Sequence, residues 1–554
     1  MRTSTTLALL VLPVLIAGAS SAQTDGVVQS WAVRYNGPGN GSDQATAIEV
    51  DGVGGVYVTG YSIGNGSTLD IATVKYGSAG SQLWAVRYNG PGNGDDRASD
   101  IAVDAAGNVY VTGYITCPGT GEDYATIKYD ASGNLQWIVG YNGPGNGSDR
   151  AAAIAVDGAG NVYVTGRSWG GWTGFDYATL AYSPSGSQLW VSRYGEQNHA
   201  DEACAIALDP SGGVRVAGSS TWYSYGGIPS TVDYVTIGYG ADGSTQWVAR
   251  HNGSAGLADE ANDMALGPDG LVVVTGGSHC ETGSGETLDF ATIAYDDNGD
   301  TQWLATYNGP VDIATDEAFA VAVSAAGGVC AAGASIGEYW NYDYATVMYG
   351  AGGSQQWVAR YNGPGNSVDE ARDVALDGSG NAYVTGISTG SGTSGDYATL
   401  MYNSSGTLQW SIRYDGPEHA EDRASAIAVD AAGNVYVTGY SPGTGTGDDY
   451  TTIKYVQTTG IEEEEGVPAL ALGVVSNPAR AGAPVSLAVS ATGVEGCRVE
   501  AFGVDGRLVA CLFDGPVPSS GEIVWDAAGV PAGVYLIRAT SGSMESTARL
   551  VLLR

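Results

Sequence analysis

Positive charge is scarce in this 554-residue chain. Lys and Arg total 22 against 59 Asp and Glu, for a formal net charge of −37. A polyanion of this size repels phosphate backbones and anionic headgroups, so nucleic-acid binding is excluded as an expectation. Histidine is also sparse, with four residues, His199, His251, His279 and His419, spread along the chain. The six cysteines contain no CxxC pair, which leaves a zinc or redox site without support. Cys117, Cys204, Cys280 and Cys330 read as small buried residues. Cys497 and Cys511 flank a predicted hairpin and could pair in an oxidising compartment, a point the sequence leaves open. Phe is rare, at 5, although Tyr numbers 34 and Trp 13.

Long apolar runs are missing as well. The one candidate, Leu7 to Ala17, falls short of the ~20 residues that span a bilayer. With Arg2 before it and Ser20-Ser21-Ala22 after it, it reads as a secretory signal peptide over 1–22. Export leaves a mature chain with no transmembrane segment, opening with a short leader over 23–30.

What is abundant is glycine, 86 residues, and a repeat. A Trp-centred segment recurs at Trp31, Trp84, Trp137, Trp190, Trp247, Trp303, Trp357 and Trp410. Around it stands WAVRYNGPGNG, as at 31–41 and 84–94. Then come an AIAVD-like run (153–157), NVYVTG (108–113) and DYATIKYD (123–130). Each segment is short, rich in Val, Ile, Tyr, Thr and Trp, and bounded by Gly, Asn and Asp, which predicts strands. Four strands per unit, repeated eight times, predict an all-β fold: an eight-bladed β-propeller over 31–456.

We name the strands a (AIAVD), b (VYVTG), c (ATIKY) and d (the Trp strand). The chain enters on a d strand and leaves on a c strand, so the last blade needs Trp31 and its neighbours to complete it. Arg34, Arg87, Arg193, Arg250, Arg360 and Arg413 on the d strands suit an outer edge.

The pattern GNVYVTG…DYATIKYDASGNLQW resembles the bacterial β-propeller repeat family called SBBP, and the resemblance covers all eight units. It implies an extracellular propeller and no particular reaction, since that family shares no catalytic motif. After Ile461 the repeat stops. Residues 457–466, with Glu462 to Glu465, read as an acidic linker. Residues 467–554 read as a small immunoglobulin-like β-sandwich. Its landmarks are Asn477-Pro478, Gly506-Arg507, Trp525-Asp526 and Ala532-Gly533-Val534-Tyr535. In that order, at the C-terminal end, they resemble the sorting domain of type IX secretion cargo. They are partly shared with modules of the flagellar-hook-cap type. The sorting resemblance implies the type IX machinery as a partner and a secreted or outer-membrane surface-attached location.

Function on a propeller concentrates on variable loops held by a rigid scaffold. Here those are the b–c and d–a connections, which share one face. Three b–c loops are aromatic: Trp169 and Trp172 in blade 3, Trp222, Tyr223 and Tyr225 in blade 4, and Tyr339, Trp340 and Tyr342 in blade 6. They suit stacking against sugar rings or a protein partner, or else they fold back and pack. An Asp precedes strand a in every unit: Asp43, Asp96, Asp149, Asp201, Asp259, Asp316, Asp369 and Asp422. If they ringed the channel mouth, they would suit calcium. The alternative is that each accepts hydrogen bonds from its own turn. A parallel Asp set precedes strand c. No other cofactor is expected.

Catalytic patterns fail. GxSxG occurs five times, always after strand b, and so is a by-product of the repeat rather than a nucleophile elbow. The leading expectation is a non-enzymatic, monomeric, exported propeller that binds an extracellular glycan or protein. The alternatives are a polysaccharide-acting enzyme using carboxylates at the channel mouth, or a purely structural envelope protein.

Overall fold

The computed structural model describes residues 26–196, 199–224, 228–282, 285–337, 339–458, 469–474, 479–480, 484–492, 496–503, 506–516, 522–541 and 544–553. The signal-peptide segment 1–22, the first three residues of the leader and most of the acidic linker lie outside these residues. The chain divides into two compact units at Thr458/Thr459.

The first unit is a closed ring of eight four-stranded antiparallel sheets. Blade 1 runs a (Asp43–Val50), b (Val56–Ile63), c (Leu69–Tyr76) and d (Gln82–Tyr88). Blades 2 to 7 repeat that order. Blade 8 takes a (Arg423–Val429), b (Val435–Gly443) and c (Gly447–Gln457) from the end of the repeats. It takes d (Val27–Tyr35) from the start. The closing register pairs Val27 with Gln457, Trp31 with Lys454 and Tyr35 with Tyr450. Each strand a contacts strand a of the next blade, and that of blade 8 contacts that of blade 1. The repeat's phase made this closure readable before any coordinates.

Strands b and c are almost wholly buried, whereas strand d keeps exposed positions. The glycine of VYVTG has a steric cause. Strand a carries a bulge between Ala45 and Ala47 and presses its backbone onto strand b. A Cβ at Gly60 would lie 2.1 Å from the Gln44 carbonyl oxygen, and the same approach recurs at Gly113 and Gly166. The a–b turns are tied by their first Asp. In blade 2, Asp104 accepts from Ala106 N and Asn108 N at 2.9 Å, and Tyr110 Oη donates to it at 3.0 Å.

Blades are joined to one another by polar ends on apolar bodies. Strand-c tyrosines donate across the interface to a carbonyl of the next blade: Tyr124 to Ala178, Tyr344 to Ala398, Tyr450 to Ala72. This explains why Tyr is plentiful and Phe rare. A buried hydroxyl that finds a partner adds a directional bond to the burial of the ring. The repeated Trp does the same at the rim. Trp31 Nε1 donates to Ser78 O, Trp84 to Ala131 O and Trp137 to Pro184 O. Each such Trp therefore leans on the c–d turn of the following blade.

The second unit has two sheets around one core. One holds Ala469–Val474, Pro484–Thr492 and Glu522–Asp526. The other holds Ala479–Arg480, Met544–Leu553, Gly533–Ser541, Cys497–Gly503 and Leu508–Gly515. Val485, Leu487, Val499, Ile523, Trp525, Ile537 and Leu550 fill the space between them. The structure decides against a Cys497–Cys511 bridge. Register places Cys497 opposite Gly515 and Cys511 opposite Glu500, and both thiols are free. Residues that far out of register exceed the ~4.4–6.8 Å Cα separation a disulfide tolerates. Among the described residues no helix is long and apolar enough to cross a membrane.

Candidate ligand-binding face

The b–c hairpins and d–a connections lie together on one face, and six of the eight blades build it the same way. The Asp before strand a is the pivot. Asp43 accepts from Gly37 N at 2.6 Å through Oδ2 and from Ile63 N at 3.0 Å through Oδ1. Equivalent pairs of bonds hold Asp96, Asp149, Asp259, Asp316 and Asp369. One carboxylate thus ties the d–a loop to the end of strand b. All eight of these residues, including Asp201 and Asp422, are fully buried. Six of them are thus held as internal acceptors of two backbone N–H groups and Asp422 of one, whereas both Asp201 oxygens are buried without a partner. Burial raises the pKa of Asp43, Asp96, Asp149, Asp316 and Asp369 above the ordinary carboxylate value, against the N–H bonds that lower it. For Asp201 and Asp422 burial pushes the value up to about 6.

The Asp before strand c has a second task. Arg87 Nη2 lies 2.8 Å from Asp70 Oδ2, and the pair recurs as Arg193–Asp176, Arg360–Asp343 and Arg413–Asp396. The same arginines also donate to the strand-b serine, as Arg87 does to Ser62. The d-strand arginines belong to the outer strand as expected. Their guanidinium groups nonetheless turn inward, half-buried, and fasten strands b, c and d at this face.

On this frame the aromatic residues divide. Trp172 is 95% exposed, Trp222 45%, Tyr339 74% and Trp340 65%. Trp340 sits at φ +60°. Its hairpin is fixed by Gly337 N to Asn341 O at 2.8 Å and by Asn341 Nδ2 to Ser367 O at 2.6 Å, on the neighbouring connection. Trp172 tops a turn closed by Gly170 N to Gly174 O at 2.7 Å. Trp169, in contrast, packs. Its ring makes a T-shaped contact with Phe175 at 5.1 Å and occupies the space where a Cβ on Gly145 or Gly147 would go. Tyr223 and Tyr342 are half-buried in strands, and Tyr225 lies outside the described residues. Blades 3 and 4 adjoin, while blade 6 stands two blades beyond blade 4. The exposed rings are therefore spread over an arc rather than gathered in one pocket. His199 and His419 belong to the connections entering blades 4 and 8, on opposite sides of the ring.

Sequence reasoning missed a set of channel-lining acids. Strand a carries Asp100, Asp263 and Asp373 where other blades have Ala. Each reaches the next blade's strand a: Asp100 accepts from Ile154 N, Asp263 from Val321 N and Asp373 from Ile427 N. Burial pushes Asp100 and Asp263 up to about 6 and Asp373 up to about 7, and Glu49 likewise to about 7. The signal was an Asp standing in an otherwise alanine position in blades 2, 5 and 7.

Four segments of the chain, residues 83–116, 141–171, 356–392 and 413–445, match the SBBP beta-propeller repeat family. The eight sheets make the chain a β-propeller, and four of its segments are similar to the SBBP repeat. A curated relative, the uncharacterized WD repeat-containing protein L264 of Acanthamoeba polyphaga mimivirus, is 29% identical over 139 residues. That match covers 22% of this chain, which spans only 9% of the relative's length. A solved eukaryotic initiation factor aligns at TM-score 0.36 and 8% identity over 66% of this chain and 77% of that one. A putative gluconolactonase aligns at 0.26 and 12% identity over 52% and 86%. Neither alignment carries an argument about this chain.

Proposed function

We propose that this chain is an exported, non-enzymatic propeller scaffold that binds an extracellular polymer through its b–c/d–a face. The observation that supports this most is the exposure of Trp172, Trp222, Tyr339 and Trp340 on hairpins whose backbones are held by internal hydrogen bonds. Large rings left in water on a rigid frame are what a binding surface needs. Their apolar faces are available and their ordering is already complete before a partner arrives. Flat indole faces flanked by Ser, Thr, Gly and Asp suit the C–H face and hydroxyl rim of a sugar, which makes glycan the first ligand class and protein the second.

The enzyme reading would draw on the eight strand-a carboxylates, and the commitment of seven of them to backbone N–H groups weighs against it. Export rests on the signal-peptide pattern of 1–22 and on the resemblance of 467–554 to type IX sorting domains, which would bring that machinery as partner and a secreted or surface-attached location. The test is a glycan and polysaccharide array probed with the whole mature chain and with Trp172→Ala and Trp340→Ala. Binding by the parent that is lost in a variant supports the proposal. Equal binding by all three overturns the assignment to this face. Absence of any binding moves the ligand to a protein or the role to a structural one.

A further inference from the structure

The eighth unit departs from the rule that governs six of the other connections; blade 4 departs as well, with both Asp201 oxygens buried and unpartnered. In six blades the strand-a Asp has its Oδ1 capped by a strand-b backbone N–H, from Ile63, Thr116, Trp169, His279, Ile336 or Thr389. At the corresponding place in blade 8 stands Pro442, which has no N–H to give. Asp422 keeps the other bond, from Gly416 N at 2.7 Å. Its Oδ1 is buried with no hydrogen-bond partner. The Ser441 hydroxyl lies beside it, as the equivalent serines lie beside Asp43 and Asp149, so the N–H alone is missing.

A second departure occurs at the same spot. The d–a loop reads Tyr-Asn-Gly at Asn36, Asn89, Asn142, Asn308 and Asn362, but Tyr-Asp-Gly at Asp415. The asparagine amide elsewhere donates within its own loop, as Asn36 Nδ2 does to Asn40 Oδ1 at 2.8 Å. Here His419 takes the far position and lies 2.6 Å from Asp415 Oδ2. Asp415 Oδ1 remains buried and unpartnered. The third member is Asp396, at the start of strand c in blade 7. It is brought in by the bond from Asp422 N to Gly395 O at 2.7 Å. Arg413 engages its Oδ2 at 2.7 Å, and its Oδ1 is buried without a partner, as is that of the Asp before strand c in every blade. One oxygen from each of Asp396, Asp415 and Asp422 lies within 4.8 Å of the others.

Thus one donor has been removed and one carboxylate added at a place where two acids already meet. Arg413 offsets one negative charge of three, and His419 is mostly exposed. Burying carboxylates this close without compensating charge is costly, and a hard cation supplies that charge to all three at once. We propose that Asp396, Asp415 and Asp422 form a binding site for one hard divalent cation of the calcium class, specific to the junction of blades 7 and 8. Asp415 is partly open to solvent, which gives the ion a way in and room for the waters that complete an oxygen shell.

The test uses the full chain stripped with chelator, then titrated with Ca2+ by calorimetry and melted with and without millimolar Ca2+. Asp422→Asn would disturb the Gly416 bond and risk misfolding. The variants are therefore Asp415→Asn and Pro442→Thr, residues that other repeats carry at these places. The parent should bind one ion and melt about 3 °C higher with calcium. Both variants should lose the calcium response, and Pro442→Thr should melt higher than the parent without calcium. A parent with no calcium-dependent shift overturns the site. So does an Asp415→Asn variant that responds as the parent does, since that response would be the diffuse attraction of a polyanion.

Discussion

Arg34 Nε lies 3.2 Å from Asp449 Oδ2, an ion pair between residues 415 positions apart that joins the first strand of the ring to the last. In blades 1, 3, 6 and 7 the same pair forms between residues 17 apart within one hairpin. The closing blade rebuilds the motif from the two ends of the repeat. It lacks only the c–d turn, and the consequence is visible one blade earlier. Trp410 Nε1, six of whose counterparts donate to that turn, is buried without a partner, as Trp247 Nε1 is in blade 4.

Closure by side chains gives a local prediction. Arg34→Ala removes the counter-charge of a buried Asp449, at a cost of about 2 kcal/mol. Arg87→Ala should cost a similar amount in blade 1. Amide exchange followed by mass spectrometry should separate them. Arg34→Ala speeds exchange in Val27–Tyr35 and Gly447–Gln457, whereas Arg87→Ala leaves those strands protected. Equal protection in both would show that the closing seam does not depend on this pair.

Glycine turns with the same backbone but different surroundings should respond differently. Gly133 has φ +82°, and a Cβ there would lie 2.9 Å from the Trp84 ring. Gly119 has φ +92° with open space around it. Gly119→Ala should cost only the left-handed backbone penalty of about 1 kcal/mol. Gly133→Ala should cost clearly more, because the ring that links blades 1 and 2 must move. Thermal melts of the two variants make the comparison.

The channel acids predict a pH dependence. Burial, opposed in part by the Ile427 N–H and reinforced by Asp263, pushes Asp373 up to about 7. A carboxyl whose folded value exceeds its unfolded value is favoured protonated in the fold. Its contribution is full below the ordinary value near ~4 and is lost as pH rises through 7. Asp373→Asn keeps a carbonyl for the Ile427 N–H and cannot ionise. The variant should melt above the parent at pH 8 and approach it near pH 4. A constant gap across that range would contradict the assignment.

Thiol labelling checks the second unit. Cys511 is exposed and Cys497 buried, and neither is bridged. Cys511 should react with a maleimide in the native chain, and Cys497 only after unfolding. A non-reducing peptide map showing a Cys497–Cys511 link would contradict the register.

Much of the frame was legible because a repeat displays each structural demand eight times. The strand order, the closing role of Trp31 and the turn glycines all follow from period and phase. The inward turn of Arg87 and the packing of Trp169 over Gly145 and Gly147 were not legible, since both depend on which way a loop-facing side chain turns. Pro442 was silent for a different reason. A proline near a strand end is unremarkable until the N–H at that position is known to hold an aspartate. Exposure of Trp172 and Trp340, against half-burial of Tyr342, likewise needed coordinates, because the same aromatic letters serve packing and contact.

The most direct measurement is the affinity of the whole chain for the strongest array ligand, by calorimetry, beside the double variant Trp222→Ala/Trp340→Ala. The account predicts a loss of at least about tenfold in affinity, as for removal of central aromatic contacts, with an unchanged melting temperature. Unchanged affinity in a folded double variant would contradict it and leave the aromatic hairpins as features of the fold alone.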